Sequence, residues 1–213
     1  MRNLYAAIRP VQRHFRTRRM ATFARALSIT PTSRVLDVGG TGYNWELCPV
    51  RPRVTLLNRY EEPDFPVPRD MTLTVADGCA LPFGDQSFDV VYSNSVVEHV
   101  GDWTRQQQFA REIQRVGRAY YVQTPAKAFP LEPHLLTPAI HWLPRPIQRR
   151  LLPFTAIGLL HRGDRPIDFA WYDDVRLLER REVRALFPEA TLMTERVLGL
   201  PKSYIAIGRH NVP

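Results

Sequence analysis

The sequence has almost no lysine, little cysteine and no acidic residue before position 37. Of its 29 basic residues only Lys127 and Lys202 are lysines, which leaves 27 arginines. That bias fits a codon preference better than a surface built for phosphate, where both cations serve. Two cysteines, Cys48 and Cys79, cannot make a disulfide framework, and no early apolar run reads as a secretory signal. The expected setting is a reducing cytoplasm. Arginine or proline interrupts every apolar stretch before the ~18 residues a membrane-spanning helix needs, so no span is expected.

What is present is a chain of 213 residues with globular proportions, 44% hydrophobic and 23% charged. At that length one core can bury roughly 70% of the unfolded surface. The net charge of +8 is unevenly placed: residues 1–33 carry seven arginines and no acid, and the remainder holds 22 basic against 21 acidic residues. The basic character therefore belongs to one segment, and nucleic acid is not the expected partner.

Leu4, Ile8, Val11 and Phe15, then Phe23 and Leu27, repeat at helical spacing, so residues 3–27 read as one or two amphipathic helices, with Pro10 starting the second. Three readings of this basic extension fit: a stripe packed on the fold with arginines in water, a targeting segment, or a helix lying on an anionic membrane through residues 1–27. Short apolar runs at 34–38, 53–58, 72–75, 88–93 and 119–123 predict five parallel strands buried on both faces. Pro49 and Pro52 limit the first crossover helix to about two turns, whereas residues 103–116 form a full helix. Residues 124–172 hold eight prolines among bulky apolar groups and read as a cap of short helices and turns. A helix at 181–187 and strands at 190–197 and 203–208 close the chain.

The segment Val35-Leu-Asp-Val-Gly-Gly-Thr-Gly-Tyr-Asn-Trp45 places glycines at the end of a first buried strand, where a ligand can approach the backbone. Asn58 ends the second strand 19 residues after Gly39, with Glu61 and Glu62 just beyond. That is close to the roughly 20-residue interval at which a doubly wound fold puts a polar group on a ribose. Asp77 adds a polar tip after the third strand.

These ordered elements resemble the class I S-adenosylmethionine-dependent methyltransferases, of the type 11 kind, over about residues 34–123. Ala76-Asp77-Gly78, then Leu81-Pro82-Phe83, then Phe88-Asp89-Val90-Val91 extend the likeness. The stretch Gly39-Gly40-Thr41-Gly42 is one residue shorter than the common pattern and is similar to a Gly-Gly-Thr variant with a Trp shortly after, matched by Trp45. The resemblance implies a doubly wound, Rossmann-like, mostly parallel seven-stranded sheet, with S-adenosylmethionine as cofactor. It implies that Asp37, Gly39, Gly40, Thr41 and Gly42 lie against the methionine part. Asn58, or Glu61 reaching back, would meet the ribose, and Asp77 with Gly78 the adenine. Ser93 and Asn94 would lie beside the adenosine or methionine portion.

Methyl transfer is an in-line displacement, so positioning is the enzyme's main task and a base serves only an acceptor that must lose a proton. Candidate bases are His99, in Ser93-Asn-Ser-Val-Val-Glu-His-Val100, and His134, in Phe129-Pro-Leu-Glu-Pro-His134. Glu132, two residues before His134, is placed to orient its imidazole. Backbone bonding in the turn competes for His99, and a buried ion pair holding the cap competes for Glu132 and His134. No paired metal carboxylates are evident and no metal is expected. The reading is one methyltransferase domain over 1–213, with a helical extension at 1–30 and a cap at 124–172. Its expected activity is O-methylation of a small, amphipathic or lipid-linked acceptor in the cytoplasm, peripheral to the membrane on the third reading of residues 1–27. An RNA methyltransferase and a catalytically silent binding protein are the alternatives, the first opposed by the near-neutral body after residue 33.

Overall fold

The computed structural model describes residues 2–60, 66–160 and 170–210. In chain order the strands are β1 (Arg34–Val38), β2 (Arg53–Asn58), β3 (Thr72–Val75), β4 (Phe88–Asn94), β5 (Gly117–Pro125), the short pair β6 (Leu131–Glu132) and β7 (Thr137–Pro138), β8 (Thr191–Val197) and β9 (Leu200–Arg209). The helices are α1 (Arg2–Ala26), α2 (Gly42–Glu46), α3 (Trp103–Val116), α4 (Arg145–Leu151), α5 (Ala156–Leu160), α6 (Ala170–Asp173) and α7 (Arg180–Leu186). Seven strands form one sheet in the order β3-β2-β1-β4-β5-β9-β8, parallel except for β9. The order reverses at β1, whose two neighbours are β2 and β4. Ligands in such sheets bind beyond the strand ends at that switch point.

Strand alternation explains the two core layers. Leu36, Val38, Val91, Tyr120 and Val122 face α3, where Phe109, Ile113 and Val116 recur at helical spacing. Asp102 caps α3 by accepting the Arg105 amide at 2.9 Å. Val35, Val90, Tyr92 and Tyr121 face the other way, onto Met20, Phe23 and Ala24 of α1 and Leu27 just after it. Phe23 is fully buried, with ring centroids 5.0 Å from Tyr92, 5.5 Å from Tyr121 and 5.8 Å from Trp45. Edge-to-face packing of this kind adds about 0.5–1.5 kcal/mol per pair beyond area burial.

The amphipathic extension thus packs on the sheet and replaces the cover that the five-residue α2 is too short to give. It is one continuous helix through Pro10, so the expected break there is absent. The cap also differs from expectation by containing the β6–β7 pair, and β5 runs on to Pro125 before the cap starts. Its small core of Leu135, Ile140, Leu152 and Tyr172 is completed by Val175 and Leu177 from the chain that follows it. Gln106, buried on α3, donates to the carbonyls of Val97 and Arg176 and accepts from Arg176 Nη1, tying the chain after the cap to the sheet. Among the described residues no helix is long and apolar enough to cross a membrane.

Candidate functional site

Among the described residues, three adjoining cavities open at the carboxyl ends of β1 to β5. One, of about 370 Å3, lies over Gly39, Asn58, Asp77, Gly78, His99 and Arg105. A second, of about 590 Å3, follows Gly39 to Asn44 and is closed by Arg16 and Asn94. The third, of about 330 Å3, is more apolar and runs between α1 and the cap, walled by Phe15, Phe129, Leu131, Leu136 and Lys202. Ser95 lines all three.

The glycine turn is shaped for close approach. Gly39 has φ +75°, and a Cβ there would overlap Val96. A Cβ on Gly40 would overlap the Asp37 carboxylate, and one on Gly42 would overlap Pro68. Gly78 sits against Phe109 and Val38, with only 3.1 Å for a Cβ. Thr41 caps α2 by position, without a side-chain bond to its amides.

Not every residue expected at the cofactor lines a cavity. Asp37 points to the α1 side, because Val38 points to the α3 side and neighbours alternate. It is fully buried, accepts the Trp45 indole N–H at 2.8 Å, and burial lifts its carboxyl to about 7, with that bond and Arg16 opposing. Its place is beneath the loop, not against a ligand. Ser93 is likewise fully buried, with its hydroxyl donated to the Val38 carbonyl at 3.1 Å. Asn94, one residue on, reaches the second and third cavities.

Asn58 Nδ2 donates to the Gly40 carbonyl at 3.0 Å, bracing the turn while lining the first cavity. Asp77 accepts the Cys79 amide at 2.9 Å and Arg105 Nη2 at 2.6 Å. Burial pushes its carboxyl up, but these two donors outweigh it and hold the group below the ordinary range. Glu61 and Glu62 lie outside the described residues.

The three candidate catalytic residues, distant in sequence, form one chain of contacts. Glu132 is fully buried and its Oε1 lies 2.6 Å from His134 Nδ1, while its Oε2 accepts the Leu135 amide at 2.5 Å. His134 Nε2 in turn faces His99 Nε2 at 3.0 Å, and the His99 ring lines the first cavity. Two imidazole nitrogens at that distance share one proton. Burial, reinforced by His134, lowers His99 to about 4; burial also disfavours the charged His134, but Glu132 outweighs it and raises His134. Glu98, fully buried beside them and accepting from Thr124 Oγ1 at 3.0 Å, completes a group whose donor atoms lie within 4.8 Å of one another. Glu98, His99 and His134 are therefore also a donor set that a divalent ion can use.

Several site residues carry no sequence signal. Arg16 bonds Asn44 Oδ1 at 3.0 Å and lies over the Tyr43 ring, between the second and third cavities. Arg19 grips Glu195 through Nε at 3.1 Å and Nη2 at 2.6 Å, and bonds Asn94. Lys202 stands 4.3 Å from the Phe15 ring centre and 4.0 Å from Glu195. All join residues far apart in sequence, so no local spacing announces them.

Residues 34–119 match the methyltransferase domain family, the span that holds the glycine turn, Asn58, Asp77 and His99. Over those residues the chain carries a methyltransferase domain of the class I S-adenosylmethionine-dependent kind. S-adenosylmethionine is accordingly its cofactor, and the glycine cradle and polar strand tips fit it. No curated protein matches the chain significantly. Among solved structures, the magnesium protoporphyrin IX methyltransferase of Synechocystis PCC 6803 with bound SAH is 13% identical, at TM-score 0.55 over 94% of this chain and 84% of its own. The N-terminal domain of EvdMO1 with SAH bound is 19% identical, at TM-score 0.51 over 91% and 80%. A Rhodobacter sphaeroides protein described as a putative Zn-dependent alcohol dehydrogenase is 15% identical, at TM-score 0.56 over 90% and 89%. At such identities these likenesses speak for the fold alone.

Proposed function

We propose that this methyltransferase acts on an oxygen of a small amphipathic or lipid-linked acceptor, in the cytoplasm, with the acceptor seated in the apolar cavity between α1 and the cap. The observation that carries this reading is Ser95. It is a wall of the two polar cavities and of the apolar one, so an acceptor there can meet the cofactor at a shared edge. The bound cofactor supplies an electrophilic methyl group on a sulfonium. The cavity residues orient the partners for in-line transfer, which requires the reacting atoms near 3–3.5 Å.

For a hydroxyl acceptor the contact chain gives the proton a route. His99 takes it on Nδ1, the nitrogen not turned to His134, and passes its Nε2 proton to His134. The resulting imidazolium is stabilised by Glu132, whose carboxylate is buried against Nδ1. His99 is thus the catalytic base, and His134 with Glu132 position and discharge it. On the cofactor side, Gly39, Gly40, Thr41 and Gly42 cradle the methionine portion, with Asn94 beside them. Asn58 and Asp77 with Gly78 take the adenosine. Asp37 and Ser93 support from within the sheet.

The test is mass spectrometry of a lysate incubated with methyl-labelled S-adenosylmethionine and wild-type or His134→Ala protein. The expected result is an amphipathic product labelled by wild type and strongly depleted with the variant. Equal labelling by both proteins overturns the proton route. Label confined to RNA overturns the acceptor class, and cofactor binding without any labelled product points to a silent member.

A further inference from the structure

The outward side of the cap carries a feature that catalysis does not use. Residues 133–160 contain no Asp or Glu, yet include Arg145, Arg149 and Arg150. Within that stretch large apolar side chains face water: Trp142 is 52% exposed and Ile147 44%, and Leu143, Leu151 and Leu159 are exposed as well. Ile147 and Leu151 are one turn apart on α4 and share a face, whereas Gln148 and Leu152 turn inward. Such a concentration of exposed apolar groups marks an interaction surface, since single scattered ones are the norm.

Charge and side-chain type choose the occupant. Arg149 is paired with Asp173 at 3.1 Å, and Arg145 is spent on the Tyr172 and Val175 carbonyls. Arg150 is exposed on the same short helix. A tryptophan and aliphatic groups interleaved with arginine, with the nearby Asp173 carboxylate neutralised by Arg149, form the pattern of an interfacial lipid-binding surface. The same cap supplies Leu131, Pro133 and Leu136 to the acceptor cavity. A surface that touches lipid and a cavity that takes an amphipathic molecule are therefore parts of one small unit.

We propose that this cap surface, with α4 at its centre, docks on an anionic lipid bilayer. The membrane contact that is one reading of residues 1–27 thereby passes to the cap, since Met20 and Phe23 of α1, with Leu27 just after it, are buried on the sheet. The proposal rests on the acceptor reading only for its purpose, because vesicle binding is measured without acceptor or cofactor.

The experiment is cosedimentation with vesicles of phosphatidylcholine alone or mixed with phosphatidylglycerol, at low and high salt. Wild type is expected to pellet with the mixed vesicles and to release as salt rises. The Ile147→Ser/Leu151→Ser pair is expected to weaken partitioning by about tenfold or more, as loss of two aliphatic anchors implies. Arg150→Glu weakens it less, and Arg13→Glu/Arg18→Glu on α1 less again. Melting curves and cofactor calorimetry check that variants fold, and Arg150→Glu carries the test if the double variant does not. Wild type left in the supernatant at low salt, or cap variants that bind like wild type, overturns the proposal. So does a solution dimer that the double variant dissociates, which would make this face a contact between two copies. Vesicle binding with no labelled product would defeat the acceptor reading and leave the docking surface standing.

Discussion

The two sides of the site are built differently. The cofactor side is made by strand tips within one stretch of sequence, and its contacts are backbone cradles and short polar bonds. The side proposed for the acceptor is assembled from α1, the cap and β9, which the chain brings together from positions 15, 129 and 202. One side is therefore sensitive to single atoms, the other to the placement of whole elements.

The largest effect is expected where the cofactor side has least room. Gly40→Ala puts a methyl group into the Asp37 carboxylate, so the turn must shift or the buried acid must move. Calorimetry should show S-adenosylmethionine binding lost, with stability reduced by about 1–3 kcal/mol as overpacking predicts. Unchanged affinity would mean that the turn is not the cradle. In the contact chain that runs from the first cavity into the cap, His99→Ala and Glu132→Gln should lower kcat by about 10²–10⁴-fold while cofactor affinity holds. A matching loss of affinity would place these residues on the cofactor side instead.

A divalent ion sharpens the boundary between the two. If His99 and His134 exchange a proton, EDTA should leave activity intact and added Zn2+ should inhibit by occupying both nitrogens. Activity that EDTA abolishes and Zn2+ restores would make the histidines ligands. A smaller effect is expected from Asn58→Ala, which deletes the bond to the Gly40 carbonyl. The predicted weakening of cofactor binding is about 0.5–1.5 kcal/mol, measured by calorimetry.

What the sequence made legible follows the same division. The five central strands were readable because their apolar runs are short, continuous and punctuated by turn residues, and the tips of β1 to β3 follow from where those runs stop. Asp37 and Ser93 were harder, since assigning a strand-end residue to a ligand requires knowing which face it points to. Val38 and Asn94, their neighbours, take the cavity positions instead. Arg16, Arg19 and Ser95 have no motif; their roles exist only once α1 lies across the sheet. Glu132 and His134 were readable as a pair through the rigid proline between them, but the step to His99 spans 35 residues and depends on the cap folding back.

Asp37 offers the finest test, because a buried acid beneath the turn predicts a slope with pH. Its folded value is about 7, against an ordinary 3.8. Between those values the folded state keeps a proton that the unfolded chain has released, so rising pH favours unfolding. Glu98, also raised to about 7, acts in the same direction, while His99, lowered to about 4 from 6.5, makes stability rise with pH over its own window. The net curve mixes these signs, and the difference between wild type and Asp37→Asn isolates one. Asparagine keeps an acceptor for the Trp45 indole and cannot ionise. The variant should match wild type near pH 4 and become progressively more stable than it up to pH 7, in chemical denaturation at each pH. Parallel curves would mean that the carboxyl ionises freely, and that the loop stands over a charge the fold already accommodates.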